Sequence, residues 1–447
     1  ILKQNTVTEE VLVLNNARVQ NNNYWDTARL EQLTKSESSI YKMMDTIQHL
    51  PAYKRYYNTL YFLGTGYKNI GKIQIGPWLS WISGNALEGT RIRFDLGTNK
   101  KFSKDLYLHG YLAYGFADNR WKQNAEAIYF LNHKLWQNIS VSFKNDLDFS
   151  QNYNSTITTD NALATAFRKA NIPIKFINLK QTKIQYFKDT KIGLSFNLSF
   201  ANKAFDPLLN LPSKTIYTSE NNITTSEVGI KIRFGYLEKF YENNFFRYSL
   251  GSSYPTPELE FVQGVKNIFD SKYEYHKLKL SVGQTISIAP LGKINYYVSA
   301  GKVWGTLPYI LLELPPGNEV HFYNKYAFNL MNRYEYVTDR FATVSVEHNV
   351  GNGLFRFIPL TRKLKFRQFW NAKAVVGNLT NANKIYNQLQ SSTVRDLNGS
   401  TYAEVGTGVE NIFKLFRIDF VWRLSPTPLP QNLSSRFGIF GSFKIQL

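Results

Sequence analysis

The sequence predicts an all-β protein: a closed antiparallel transmembrane β-barrel of about 16 strands, with a short N-terminal helical segment. Apolar and polar residues alternate with period two along most of the chain, between turn signals. Aromatics make up 15% of the residues, far more than a soluble enzyme needs but suited to a lipid-facing band with girdles at both interfaces. No apolar run reaches the roughly 18 residues that a spanning helix requires.

The alternation is clearest from Lys277 to Ile288. Leu278, Leu280, Val282, Ile286 and Ile288 share one face, interrupted by Gln284. Lys277, Lys279, Ser281, Gly283, Thr285 and Ser287 share the other. A wall that is apolar outside and charged inside is what a barrel in lipid requires. Because the side-chain period is two, a one-residue slip would turn every charge toward lipid, so the register is strongly specified.

Residues 1–66 differ. Thr34 to Glu37 (TKSE) forms a capping-box pattern, and Ile40, Met43, Met44, Ile47 and Leu50 then recur at helical spacing. Pro51 stops that helix or starts the next, which Gly64-Thr65-Gly66 ends. This segment reads as a connector under the barrel mouth or as a plug. From Tyr67 the period becomes two. Candidate strands follow at 69–84, 88–99, 105–117, 122–133, 137–149, 175–188, 191–203 and 225–237. The second half has 256–267, 273–289, 292–305, 340–351, 364–379, 402–412, 415–425 and 436–447. Residues 67–447 therefore constitute the barrel. The long connections 150–174, 204–224, 306–339 and 380–401 all follow odd-numbered strands, as extracellular loops do when the N-terminus is periplasmic. The exceptions to short turns on the other side are 238–255 and 352–363. Phe443, Ile445 and Leu447 share a face in the last strand, like the terminal strand by which outer-membrane barrels are recognised for insertion.

Net charge is +20, from 53 Lys and Arg against 33 Asp and Glu. The basic residues alternate with apolar ones along strands and do not cluster in tails. Outer-membrane lipid and lipopolysaccharide are therefore the expected surface partners, and nucleic acid is not. Cysteine is absent, which excludes disulfides, thiol nucleophiles and thiolate metal sites. The chain starts at Ile1 without a signal peptide, so it is expected to be a processed or partial form.

Parity places Arg91, Arg93, Asp95, Lys231, Arg233, Lys277, Lys279, Glu347, Arg417, Asp419 and Arg423 on the inner wall, together with Glu404 and Glu410. Two readings are open for them: an anion-preferring pore, or an ion-pair network around a plug. No HExxH, GxSxG or P-loop pattern occurs, and no catalytic residue, cofactor or metal site is predicted.

Several runs carry a family resemblance: LTKSESSIYKMMD (33–45), IGKIQIGPWLSWISGNALEGTRIRF (70–94), FSKDLYLHGYLAYGFADNRWK (102–122), GKVWGTLPYILLELPPGNE (301–319), YEYVTDRFATVSVEHNVGN (334–352) and RFIPLTRKLKFRQFW (356–370). Together they resemble Bacteroidetes outer-membrane barrels of uncharacterised function that usually follow a carboxypeptidase-regulatory-like domain. More distantly the chain is similar to the sixteen-stranded barrels of the insertase and two-partner-secretion superfamily. The resemblance implies a bacterial outer-membrane location and a non-catalytic subunit in protein assembly or export, with protein partners; a pore for small polar solutes is the alternative. In that superfamily the sixth loop enters the lumen and an Arg-Gly-aromatic motif grips an acidic wall residue. Here the loop has no Arg-Gly pair, Arg333-Tyr334 being the nearest substitute, and no POTRA-like module is visible. The resemblance implies that Arg333 or Arg340 reaches Glu347.

Overall fold

The computed structural model describes residues 34–148, 167–170, 172–213, 223–243, 245–359, 363–389 and 394–443. Two helices open it, Lys35–His49 (α1) and Pro51–Thr65 (α2). The Glu37 N–H donates to Thr34 Oγ1 at 3.3 Å and the Thr34 N–H to Glu37 Oε2 at 2.9 Å, which satisfies two otherwise unpaired donors. Gly66 ends α2 at φ 82°, where a side chain would be strained. Neither helix buries a side chain, although Phe62 packs on Trp78 and Trp81. The rest of the expected 1–66 segment, residues 1–33, lies outside the described residues.

The first candidate strand is split into Lys68–Ile70 (β1), Ile73–Ile75 (β2) and Ile82–Asn85 (β3). Pro77 has no N–H for a ladder, and a 3-10 turn at Trp78–Ser80 fills the break. Both β2 and β3 lie along the same edge of Gly89–Thr98 (β4), pairing Ile75 with Leu96 and Ile82 with Ile92. Then come Leu106–Gly115 (β5), Arg120–Asn132 (β6), Gln137–Asp148 (β7), Lys175–Asp189 (β8), Leu194–Leu209 (β9) and Ile223–Phe234 (β10). The long 238–255 connection is a separate hairpin, Lys239–Asn243 (β11) with Phe246–Gly251 (β12). Next are Thr256–Val265 (β13), Tyr275–Ser287 (β14), Lys293–Trp304 (β15), Tyr336–Val337 (β16), Arg340–Gly351 (β17) and Arg367–Asn378 (β18). A helix, Asn381–Tyr386 (α3), precedes Arg395–Asp396 (β19), Thr401–Ile412 (β20), Phe416–Ser425 (β21) and Phe437–Phe443 (β22).

One sheet holds eighteen strands, all but β11, β12, β16 and β19. Neighbours in the sheet follow chain order and run antiparallel. The count exceeds the expected number because the first candidate is in three pieces. Of the terminal face, Phe443 is in β22, while Ile445 and Leu447 lie outside the described residues.

The sheet buries its charge and exposes its apolar side chains. In β4, Arg91 is 1% and Asp95 0% exposed, whereas Ile92, Phe94 and Leu96 are 49%, 53% and 42% exposed. In β21, Arg417, Asp419 and Arg423 are buried and Phe416, Ile418, Trp422 and Leu424 are exposed. A water-soluble fold has the reverse order. Among the described residues no helix is long and apolar enough to cross a membrane.

The densest burial belongs to the connection between β15 and β17, residues 306–339. Leu307, Tyr309, Leu311, Tyr334 and Val337 form one apolar cluster with Ile177 of β8, Phe205 of β9, Ile223 of β10 and Tyr275 of β14. Side chains of these strands that face the polar side of the sheet thus meet an apolar inner segment, so the core is made by a loop lying on the sheet.

Candidate functional site

The loop is held at its root by α3. The Leu307 N–H donates to Asn383 Oδ1 at 2.9 Å and the Tyr309 N–H to Asn387 Oδ1 at 2.6 Å; Asn387 Nδ2 returns a bond to the Leu307 carbonyl at 2.9 Å. These amides replace the ladder partners that a coil entering the interior lacks. At Gly317 the chain passes so close to itself that a Cβ would stand 2.4 Å from the Asn332 carbonyl carbon, so only glycine fits. The loop then pairs locally, Gly317 with Phe328 and Glu313 with Thr338, and its end runs parallel to β19 as β16.

Wall side chains fasten the loop in the middle. Glu404 on β20 accepts the N–H groups of Asn329 at 2.8 Å and Leu330 at 3.0 Å. Lys373 on β18 donates to the carbonyls of Asn324 at 2.8 Å and Ala327 at 2.6 Å. Arg423 on β21 reaches Glu335 at 3.1 Å and the Tyr336 hydroxyl at 2.9 Å. Lys169, from another loop, donates to the carbonyls of Asn318 and Asn329 at 2.7 and 2.5 Å. Burial lowers the Lys169 ammonium to about 8, against the opposing pull of Glu404 and Glu319. Burial also pushes the Tyr323 phenol well above its ordinary value, with the Asp419 carboxylate adding to it.

The predicted wall residues are distributed over this scaffold. Arg91 makes a two-pronged pair with Asp146 at 2.8 and 2.7 Å and a further bond to Glu88 at 3.0 Å. Arg93 pairs with Asp95 at 2.6 Å and stacks over Tyr111 at 3.6 Å. Lys231 pairs with Glu258 at 2.6 Å and Arg233 with Glu238 at 2.5 Å. Lys277 stands 5.2 Å from the Tyr275 ring, and Lys279 stands 3.6 Å from Glu313 of the loop. Arg417 bonds Glu347 at 2.7 Å and Asp419 at 2.7 Å while lying 3.6 Å over Phe369 and 4.7 Å from the Tyr323 ring.

The expected grip of Arg333 or Arg340 on Glu347 is corrected. Arg333 bonds Glu319, within the same loop, at 3.0 Å. Arg340 is the first residue of β17 and is exposed on the apolar face, opposite in parity to Glu347. The guanidinium at Glu347 comes from the wall, from Arg417. The loop anchors that take over the expected role, Glu404 and Lys373, were missed as such. Gly406 and Gly408, on the face of Glu404, gave no signal for the loop: the space above them is taken by Asn371 and Phe369 of the neighbouring β18.

The loop also touches the end of the sheet. The Gly441 N–H of β22 donates to the His321 carbonyl at 2.9 Å, and the Tyr323 N–H donates to the Gly441 carbonyl at 2.9 Å. Phe322 thereby pairs with Gly441 as a one-residue parallel strand, on the edge of β22 away from β21. Its ring meets Phe167 edge-on at 4.9 Å and Phe443 at a tilt at 6.2 Å, with Phe443 on the exposed apolar face. Among the described residues no group of three or more acidic or histidine side chains is placed to hold a metal ion.

No curated protein matches the chain. Among solved structures, a BamA from Haemophilus ducreyi lacking POTRA domains 1–3 is similar at 10% identity and a TM-score of 0.47, covering 81% of this chain and 69% of that one. CdiB from Acinetobacter baumannii is similar at 11% identity and 0.43, covering 80% and 57%. Wzi, a carbohydrate-binding outer-membrane barrel involved in group 1 capsule assembly in Escherichia coli, is similar at 8% identity and 0.33, covering 83% and 77%. Residues 58–387 match the C-terminal domain of a family of unknown function, DUF5686, and the chain belongs to that family.

Proposed function

We propose that the sheet curls into a barrel in the bacterial outer membrane, with its first position shared by β2 and β3 and with the loop at Phe322, in place of a continuous ladder, covering the edge of β22 at the seam. In this reading the barrel is a non-catalytic subunit of a complex that assembles or exports proteins. The membrane part rests on the inverted burial of the strands. Phe94→Arg, on the exposed face of β4, is then expected to cost about 2–4 kcal/mol near the bilayer centre. Urea unfolding from liposomes measures it; a loss under about 0.5 kcal/mol would place Phe94 in water.

The assembly role is carried by one observation: the outer edge of β22 is paired with a loop segment through Gly441. An edge strand recruits other strands unless it is covered. A cover with two main-chain bonds, both at Gly441, and a few side-chain contacts such as His321 with the Ile439 carbonyl is readily exchanged, and an extended segment of a client would gain the same main-chain bonds by strand addition. The filled interior disfavours the solute pore. The chain has no cysteine, so Phe322→Cys with Gly441→Cys provides a clean lock. The two positions are ladder partners, and a Cβ at Gly441 meets nothing within 4 Å, so a cysteine is accommodated there and forming the bond draws the Cβ of position 322 in toward the roughly 3.8 Å that a disulfide takes. Proteins that co-purify with the native chain in mild detergent should be lost from the oxidised double variant and recovered on reduction. Equal recovery from both redox forms would refute the edge as the docking point.

A further inference from the structure

We infer that the apolar face carries a built site for a lipid phosphate at the loop end of β15 and β17, formed by Lys302 and Arg340. The two residues are direct cross-strand partners. Both are exposed, and both lie on the face of Leu278, Leu280, Ala300 and Ala342. Like charges directly opposite on a sheet repel, and a face toward lipid offers little water to screen them. Lys302 lies 5.0 Å from the Trp304 ring. Among the described residues neither cation has a carboxylate within ion-pair distance. Asp339, the nearest acidic residue in sequence, is 2% exposed and accepts from Thr380 N and Asn383 Nδ2 on the other side of the sheet.

Below the two cations runs a groove of about 510 Å³ lined by Leu278, Leu280, Ala300, Ala342 and Val376. Two alanines between larger aliphatic neighbours make the groove, whose aliphatic lining suits an acyl chain. The arrangement therefore matches an amphiphile whose anionic head bridges a lysine and an arginine while its chain enters the groove. An arginine fork and a lysine ammonium are the donors that phosphate oxygens use. The occupant is a phosphorylated glycolipid of lipid A type, from the leaflet at this end of the strands.

This inference rests on the membrane reading above, so insertion is scored first, by protection of the strands from protease in liposomes. Full-chain protein and the Lys302→Gln/Arg340→Gln variant are then compared by native mass spectrometry with bis-phosphorylated lipid A and with the same lipid dephosphorylated. The native chain should retain the phosphorylated lipid at least tenfold more strongly than the dephosphorylated one. The variant should insert equally well and lose that preference. A second variant, Lys180→Gln, which removes an exposed cation elsewhere, should keep it. Equal retention of both lipids by the native chain would overturn the site, as would an unchanged preference in the double glutamine variant. Failure to insert would instead count against the membrane reading.

Discussion

Replacing Glu404 by alanine is expected to convert a quiet barrel into one that conducts. The carboxylate is 0% exposed and holds the backbone N–H groups of Asn329 and Leu330 at the middle of the inner loop. Hydrogen bonds to a charged group contribute about 1.5–3 kcal/mol each, so losing both weakens docking by about 3–6 kcal/mol. Each 1.4 kcal/mol is a tenfold change, so the undocked population rises about 100-fold or more. The substitution also removes a carboxylate that favours the charged form of Lys169 and leaves Lys373 with less compensation. Single-channel recording in planar bilayers reads the outcome. The native chain should give rare openings and Glu404→Ala frequent ones, with Glu404→Gln between them because an acceptor oxygen remains. Indistinguishable traces from the native chain and the alanine variant would show that the loop does not gate the interior.

The strand pattern was legible because the two faces of the sheet, one exposed and apolar and one buried and polar, impose opposite demands on adjacent residues. Most candidate ranges from 88 onward became strands within a few residues of their expected ends; the 191–203 strand instead runs on to Leu209, into the expected 204–224 connection, and the end of 436–447 lies outside the described residues. The breaks came where a local constraint overrode alternation, as at Pro77, or where the chain paired with itself outside the main sheet, as in β11 and β12. The site was less legible. Parity says which side Arg417 or Arg423 occupies, but not which carboxylate it meets: Arg417 and Glu347 are seventy positions apart. Arg340 shows the limit from the other direction. The family resemblance implied an inward reach for it, yet its parity with Ala342 and Val344 puts it on the exposed face. The pairing of Phe322 with Gly441 had no sequence signal, because a one-residue bridge leaves no periodicity.

Arg417→Met is expected to be the most destabilising single change on the polar face. The guanidinium bonds Asp419 and Glu347, lies 4.0 Å from Glu410, and is sandwiched between Phe369 and Tyr323. Methionine fills much of the volume between the rings, so the loss is mainly electrostatic. Three carboxylates, at 11%, 0% and 2% side-chain exposure, are left without their shared cation. Stranding buried charge in this way costs about 3–5 kcal/mol, more than the pair itself contributes to stability. The diagnostic is therefore a comparison and not a single value. Arg417→Met combined with Glu347→Gln, Glu410→Gln and Asp419→Asn should regain most of the loss, because a neutral, hydrogen-bonded cluster no longer contains an unpaired charge. Urea unfolding in liposomes gives both numbers. A single-variant loss below about 1 kcal/mol would mean that water reaches the cluster and screens it, and the close packing of Tyr323 over Arg417 would then not exclude solvent as its position implies.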